Sequence, residues 1–203
     1  MKQKYVYSCD LLETGDIVFY RPMRGTRIPG SLCEKIKSYI CRSPYVYVGM
    51  IQKTDEEYNV IGTNGIEELK VVLLSRNVDV YRIVRDINTR LEYNKNIHRI
   101  MSSAYRFDAN FVIMKICELV TKPSHWTDAL IFWSRRLLGF GNFSNDHQIL
   151  KVVNCASVLE YAMNEIGFDL CKRVSPNYAT LDTMSRSALI DYLFTIERNA
   201  SQD

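Results

Sequence analysis

The chain has 203 residues, 47% hydrophobic and 24% charged, which suits one soluble globular domain with room for a real core. A net charge of +3 is too small to make the whole surface a nucleic-acid footprint, and six cysteines without a C-x-x-C spacing and three separated histidines form no metal-ligand pattern. With no long apolar run and no signal-peptide core in "MKQKYVYSCDLLETGD", the protein is expected to be intracellular, with free thiols and neither metal nor other cofactor.

In chain order, Thr14-Gly15-Asp16 reads as a turn that delivers a strand from Ile17 to Tyr20, stopped at Pro22. The next segment offers Ser31 as a helix cap with Glu34 at capping-box spacing and Leu32, Ile36 and Ile40 at helical intervals; this helix should end before Pro44. Between Tyr20 and Arg42 lie Arg21, Arg24, Arg27, Lys35, Lys37 and Arg42 against the single acid Glu34. This basic stretch reads first as a solvated loop and helix face, and second as a surface for phosphates or an anionic membrane. Arg21, Arg24 and Arg42 are its candidate anion-binding residues.

Strands are expected at Tyr45–Gln52, Tyr58–Gly62 and Val78–Val84, the first two pairing as an antiparallel hairpin. Alternation in "SPYVYVGMI" sets Tyr47 on the face opposite Val46 and Val48. "IEELKVVLLS" fits either a short strand with a turn or one helical turn. From about Thr89 the pattern is helical: Leu91, Ile97, Ile100 and Met101 share a face, "FVIMKICELV" is a buried-helix candidate, and Trp126, Leu130, Trp133 and Leu137 recur up to Gly139 and Gly141. Residues 107–145 read as a helical insertion in a single domain spanning 1–203.

The clearest helix is "VVNCASVLEYAMNEIGFDL", with Cys155, Val158, Leu159, Ala162 and Ile166 at three- and four-residue steps, Asn154 as N-cap and Gly167 as C-terminal cap. Beyond it, "SPNYATLDTMS" reads as a loop, followed by a short helix from Ser185 to Leu193 and a polar tail. Cys155 in a first helical turn sits at the positive end of the helix dipole, which favours a thiolate, and the backbone N–H groups there suit an oxyanion. It is the best nucleophile candidate, against the plain reading of a buried structural thiol.

The order "GDIVFYR", "SPYVYVGMI", "NCASVLEYAMNEIGF" resembles the NlpC/P60 superfamily of papain-like thiol enzymes in its circularly permuted branch, which includes YiiX-like bacterial proteins, lecithin:retinol acyltransferase and relatives in poxviruses and other large DNA viruses. The resemblance implies an α+β fold, a small antiparallel sheet packed on helices with Cys155 opening a central helix, and a viral source. It aligns Cys155 with the nucleophile, Tyr47 with the catalytic histidine, and Gly62 with the third polar position, or Thr63 or Asn64 if the register slips. Tyrosine, with a reference pKa near 10, is a poor base at neutral pH. His147, eight residues before Cys155, reads as a surface-loop histidine, and His98 and His125 carry no motif support.

The first functional reading is therefore a degraded thiol site on a binding or structural factor, whose groove takes a lipid, an acyl chain or a peptide. The alternative is an active thiol hydrolase or acyltransferase using Cys155. A nucleic-acid module stands last, for want of aromatic-interleaved basic strands or a recognition helix.

Overall fold

The computed structural model describes residues 10–23, 32, 34–36, 38–39, 42–55, 57–84, 107–120, 155–171, 174, 176 and 179–197. Ten of its elements have defined bounds: β1 (Ile17–Tyr20), β2 (Tyr47–Lys53), β3 (Tyr58–Gly62), β4 (Gly65–Glu68), α1 (Leu69–Val72), β5 (Val78–Ile83), α2 (Ala109–Val120), α3 (Cys155–Asn164), α4 (Leu181–Ser185) and β6 (Ile190–Ile196). The strands form one sheet in the order β4-β3-β2-β1-β5-β6, antiparallel at every pair. The architecture is α+β, as expected, with α3 packed on β2 and β3 and α2 packed on α3 and β3.

β1 is short but central, and all four of its residues are buried. "Gly-Asp" fixes where it starts. The Gly15 N–H donates to the Ile51 carbonyl at 2.9 Å and the Ile51 N–H to the Asp16 carbonyl at 2.8 Å, locking the turn onto β2. The buried Asp16 carboxylate accepts from Arg82 Nε at 2.7 Å and from the Glu13 backbone N–H at 2.8 Å. Arg82 also reaches Glu13 at 2.9 Å and the Leu11 carbonyl at 2.8 Å, so β5 is tied to the segment that leads into β1.

The β2–β3 hairpin forms as expected, with Met50 opposite Ile61. β2 begins at Tyr47 rather than Tyr45 because the Tyr45 N–H is taken by Ser43 Oγ at 3.1 Å. "IEELKVVLLS" resolves into the end of β4 followed by the single turn α1, whose Leu69 and Val72 are buried. Within the stretch expected as an insertion, α2 buries Val112, Ile113, Ile116 and Leu119 in the common core. The helices expected over Leu91–Met101 and Trp126–Leu137, together with Arg24, Ser31, Ile40, Asn154 and all three histidines, lie outside the described residues.

Two expectations near the C-terminus are corrected. "SPNYATLDTMS" is not all loop: Leu181–Ser185 is helical, capped by Thr180, whose Oγ1 accepts the Thr183 N–H at 3.2 Å while Thr183 Oγ1 accepts the Thr180 N–H at 3.1 Å. A threonine does the work here that Glu or Gln does in the usual capping box. Nor is Ser185–Leu193 a helix. Leu193 lies within β6, at the bulge between Tyr192 opposite Tyr81 and Phe194 opposite Val80, and β5 supplies the partner.

The Asp16–Arg82 pair is partly buried and joins segments far apart in sequence. Asp16→Ala is therefore expected to lower unfolding free energy by about 2 kcal/mol, leaving Arg82 with only the more exposed Glu13 carboxylate. Denaturant unfolding of the full chain measures it; a loss near zero would show that the pair is dispensable.

Candidate functional site

Tyr20 stands opposite Tyr47 across the β1–β2 pair, and their rings pack at 4.8 Å between centroids. Both side chains lie on one face of the sheet, the face that receives α3. Cys155, the first residue of α3, is buried and not disulfide-bonded. It lies within electrostatic range of the Tyr47 phenol.

Gly62 completes the contact by what it lacks. A Cβ there would stand 2.3 Å from the Tyr47 hydroxyl and 3.0 Å from the ring carbon bearing it. The phenol tip occupies the volume that any side chain at 62 would need. Its oxygen accepts the Asn64 backbone N–H at 3.1 Å, and the Thr63 side chain lies close enough to act in the same direction. Gly62, Thr63 and Asn64 therefore all surround the Tyr47 hydroxyl, Asn64 through its backbone and Thr63 through its side chain.

Burial pushes the Tyr47 phenol up to about 12, outweighing the Asn64 and Thr63 hydrogen bonds that favour its ionised form; the Cys155 and Glu67 charges add to the rise. Such a group keeps its proton at neutral pH and cannot take one from a thiol. Tyr20 is likewise raised, by burial first and by Glu67 second; its hydroxyl donates to Glu67 Oε2 at 3.2 Å. Asn64 Nδ2 donates to Glu67 Oε1 at 3.2 Å, and the Arg76 guanidinium sits 5.4 Å from the Tyr20 ring centre. The rim of the site is a connected set of hydrogen bonds.

The candidate arginines do not converge on it. Arg21 follows Tyr20 and so points to the other face, where it donates to Asp79 Oδ2 from Nε at 2.9 Å and from a terminal nitrogen at 2.8 Å. Arg42 is exposed at φ +49°. Arg24 lies outside the described residues.

Sequence reasoning missed a second polar centre on α3. Glu160 is fully buried, its Oε1 accepting the Cys171 N–H at 3.1 Å and Asn164 Nδ2 at 3.0 Å. Oε2 has no hydrogen-bond partner among the described residues. Burial raises its pKa to about 7; the Cys171 N–H opposes the rise and the nearby Asp169 adds to it. The Cys171 thiol beside it is pushed up to about 12, by burial first and by Glu160 second. The available signal was a single acid within the apolar run from Val158 to Met163, with Asn164 one turn on to bond it.

No group of three or more His, Cys, Asp or Glu side chains suited to a metal occurs among the described residues. No helix among them is long and apolar enough to cross a membrane. No family model matches the chain, and no curated protein matches it. Among solved structures the chain is similar to the metalloprotein YiiX from Escherichia coli O157:H7, at 12% identity and a TM-score of 0.48, with 90% of this chain and 96% of that one covered.

Two measurements test this geometry. Gly62→Ala should cost about 2 kcal/mol in the native background through overpacking, and markedly less when Tyr47→Leu is also present; strictly additive losses would separate the two residues. Glu160 holds its proton to about pH 7 when folded, against an ordinary 4.5. Its stabilising contribution is then complete below pH 4.5 and is lost as pH rises through 7. Glu160→Gln should flatten stability over that window and raise it at alkaline pH; an unchanged pH profile would contradict the assignment.

Proposed function

We propose that the chain is a circularly permuted papain-like protein of the NlpC/P60 type whose thiol site has lost turnover, and that it works as a binding or structural factor. The observation that carries this reading is the buried, protonated Tyr47 phenol beside Cys155, wedged over Gly62. A thiol enzyme needs an imidazole-like shuttle at that place, with a polar residue behind it to orient the ring. Here the shuttle position holds a proton too tightly, and the orienting position has no side chain at all. The pair reads as a joint replacement, since the larger ring needs the glycine.

The binding role is assigned to the junction of α3 with the β2–β3 hairpin. Its aromatic floor, Tyr20 and Tyr47, with a polar rim of Asn64 and Glu67, suits an acyl chain, a lipid or an extended peptide. A viral source rests on the resemblance to permuted members carried by large DNA viruses.

Alkylation of the purified full chain by a haloacetamide at neutral pH tests the loss of catalysis. Cys155 should react no faster than an exposed model thiol, and Cys155→Ala should keep whatever biological activity the chain has. Tyr47→His, checked for folding, should raise the Cys155 rate about tenfold or more by placing an imidazole beside the sulfur. Fast labelling of the native Cys155, or turnover abolished by Cys155→Ala, would establish instead a working thiol hydrolase or acyltransferase.

A further inference from the structure

The described residues between 32 and 39 are helical, and the segment is turned inside out. Glu34 and Ser38, four residues apart on one side, face the protein. Glu34 pairs with Arg76 at 3.0 Å and accepts the Met23 N–H at 2.9 Å, while Ser38 bonds with Ser43 through side chain and backbone. The opposite stripe, Leu32, Ile36 and Tyr39, falls at the i, i+4, i+7 spacing of a helix face and is 62%, 50% and 85% exposed. An ordinary surface helix buries its apolar stripe and wets its polar one. Among its described residues this helix turns the apolar stripe outward, with a partly buried ion pair on the inner side holding it in place.

Charge selects the occupant. Lys35 and Arg42 are exposed beside this stripe. The one acid in the sequence from Tyr20 to Arg42 is Glu34, which is turned inward and paired with Arg76, so no carboxylate of this segment offsets these cations. Apolar side chains with an aromatic and flanking cations, and no acid, are the features of a helix lying in the headgroup region of an anionic bilayer. We propose that Leu32, Ile36 and Tyr39, flanked by Lys35 and Arg42, dock the protein onto an anionic membrane surface, the helix lying flat in the interface. The surface is independent of whether Cys155 is active. It lies close to the cleft, because Arg76 both holds Glu34 and stands over the ring of Tyr20.

Cosedimentation of the full chain with vesicles of phosphatidylcholine alone, or with about 30 mol % phosphatidylserine, reads the proposal directly. The native chain should partition onto the anionic vesicles only, and about 1 M salt should weaken that binding. Leu32→Ser with Ile36→Ser should reduce partitioning about tenfold or more. Lys35→Gln with Arg42→Asn, the asparagine chosen to suit the left-handed backbone at 42, should cost about tenfold on anionic vesicles. Met114→Ser, at an exposed apolar position on α2, should change nothing. Equal binding to both vesicle types, no binding to either, or no effect of the Leu32/Ile36 change would overturn the proposal. So would sedimentation velocity showing that the Leu32/Ile36 change splits a dimer, since the stripe would then be a contact between copies.

Discussion

Between β2 and β3 there is room for a phenol or for a side chain at position 62, but not both, and the chain has settled on the phenol. Everything at the cleft follows from that exclusion. The ring reaches across the hairpin to take the Asn64 N–H, is stacked by Tyr20 from the next strand, and is buried deeply enough to stay neutral. An imidazole is smaller and would leave both a void and an unpaired N–H. Tyr47 is therefore a packing solution, held by the Asn64 N–H at its tip and the Tyr20 ring on its flank.

The two faces of the sheet divide the polar residues by kind. On the face away from α3, Asp79 is buried and fully used: it accepts from Arg21, from the Tyr45 hydroxyl at 2.9 Å and from Thr195 Oγ1 at 2.6 Å. It joins the segments before β2 and after β1 to the edge strand β6. Glu160 on α3 is held differently, with one oxygen satisfied and a raised pKa. A saturated carboxylate is a structural rivet, whereas a carboxyl that changes state near neutrality leaves α3 sensitive to proton activity. The helix that carries Cys155 is thus the less settled of the two sides.

What could be read from the sequence divides along physical lines. β1 and β3 had the right limits because turn residues bound short runs of β-branched and aromatic side chains, and the start of α3 at Cys155 followed from its spacing. The juxtaposition of Tyr47 with Cys155 needed a family resemblance, since residues 108 positions apart share no local signal. β6 was missed because Ala188, Leu189, Tyr192 and Leu193 also satisfy helical spacing; pairing with β5 decided the matter, and no local pattern contains that. The reason for Gly62 was hidden for a similar cause. Its role is an absence defined by a ring on a neighbouring strand.

The inverted helix at 32–39 connects these observations. A stripe of Leu32, Ile36 and Tyr39 left in water is unfavourable, and it persists because Glu34, half in the protein, is held by Arg76 and by the Met23 N–H. Arg76 is in turn fixed over Tyr20, whose ring rests on Tyr47. The exposed stripe is thereby connected through three contacts to the Tyr47 phenol. A buried ring can in this way bear on the angle at which the protein presents an apolar edge to its surroundings, because each contact in the chain is made by a side chain with little room to turn.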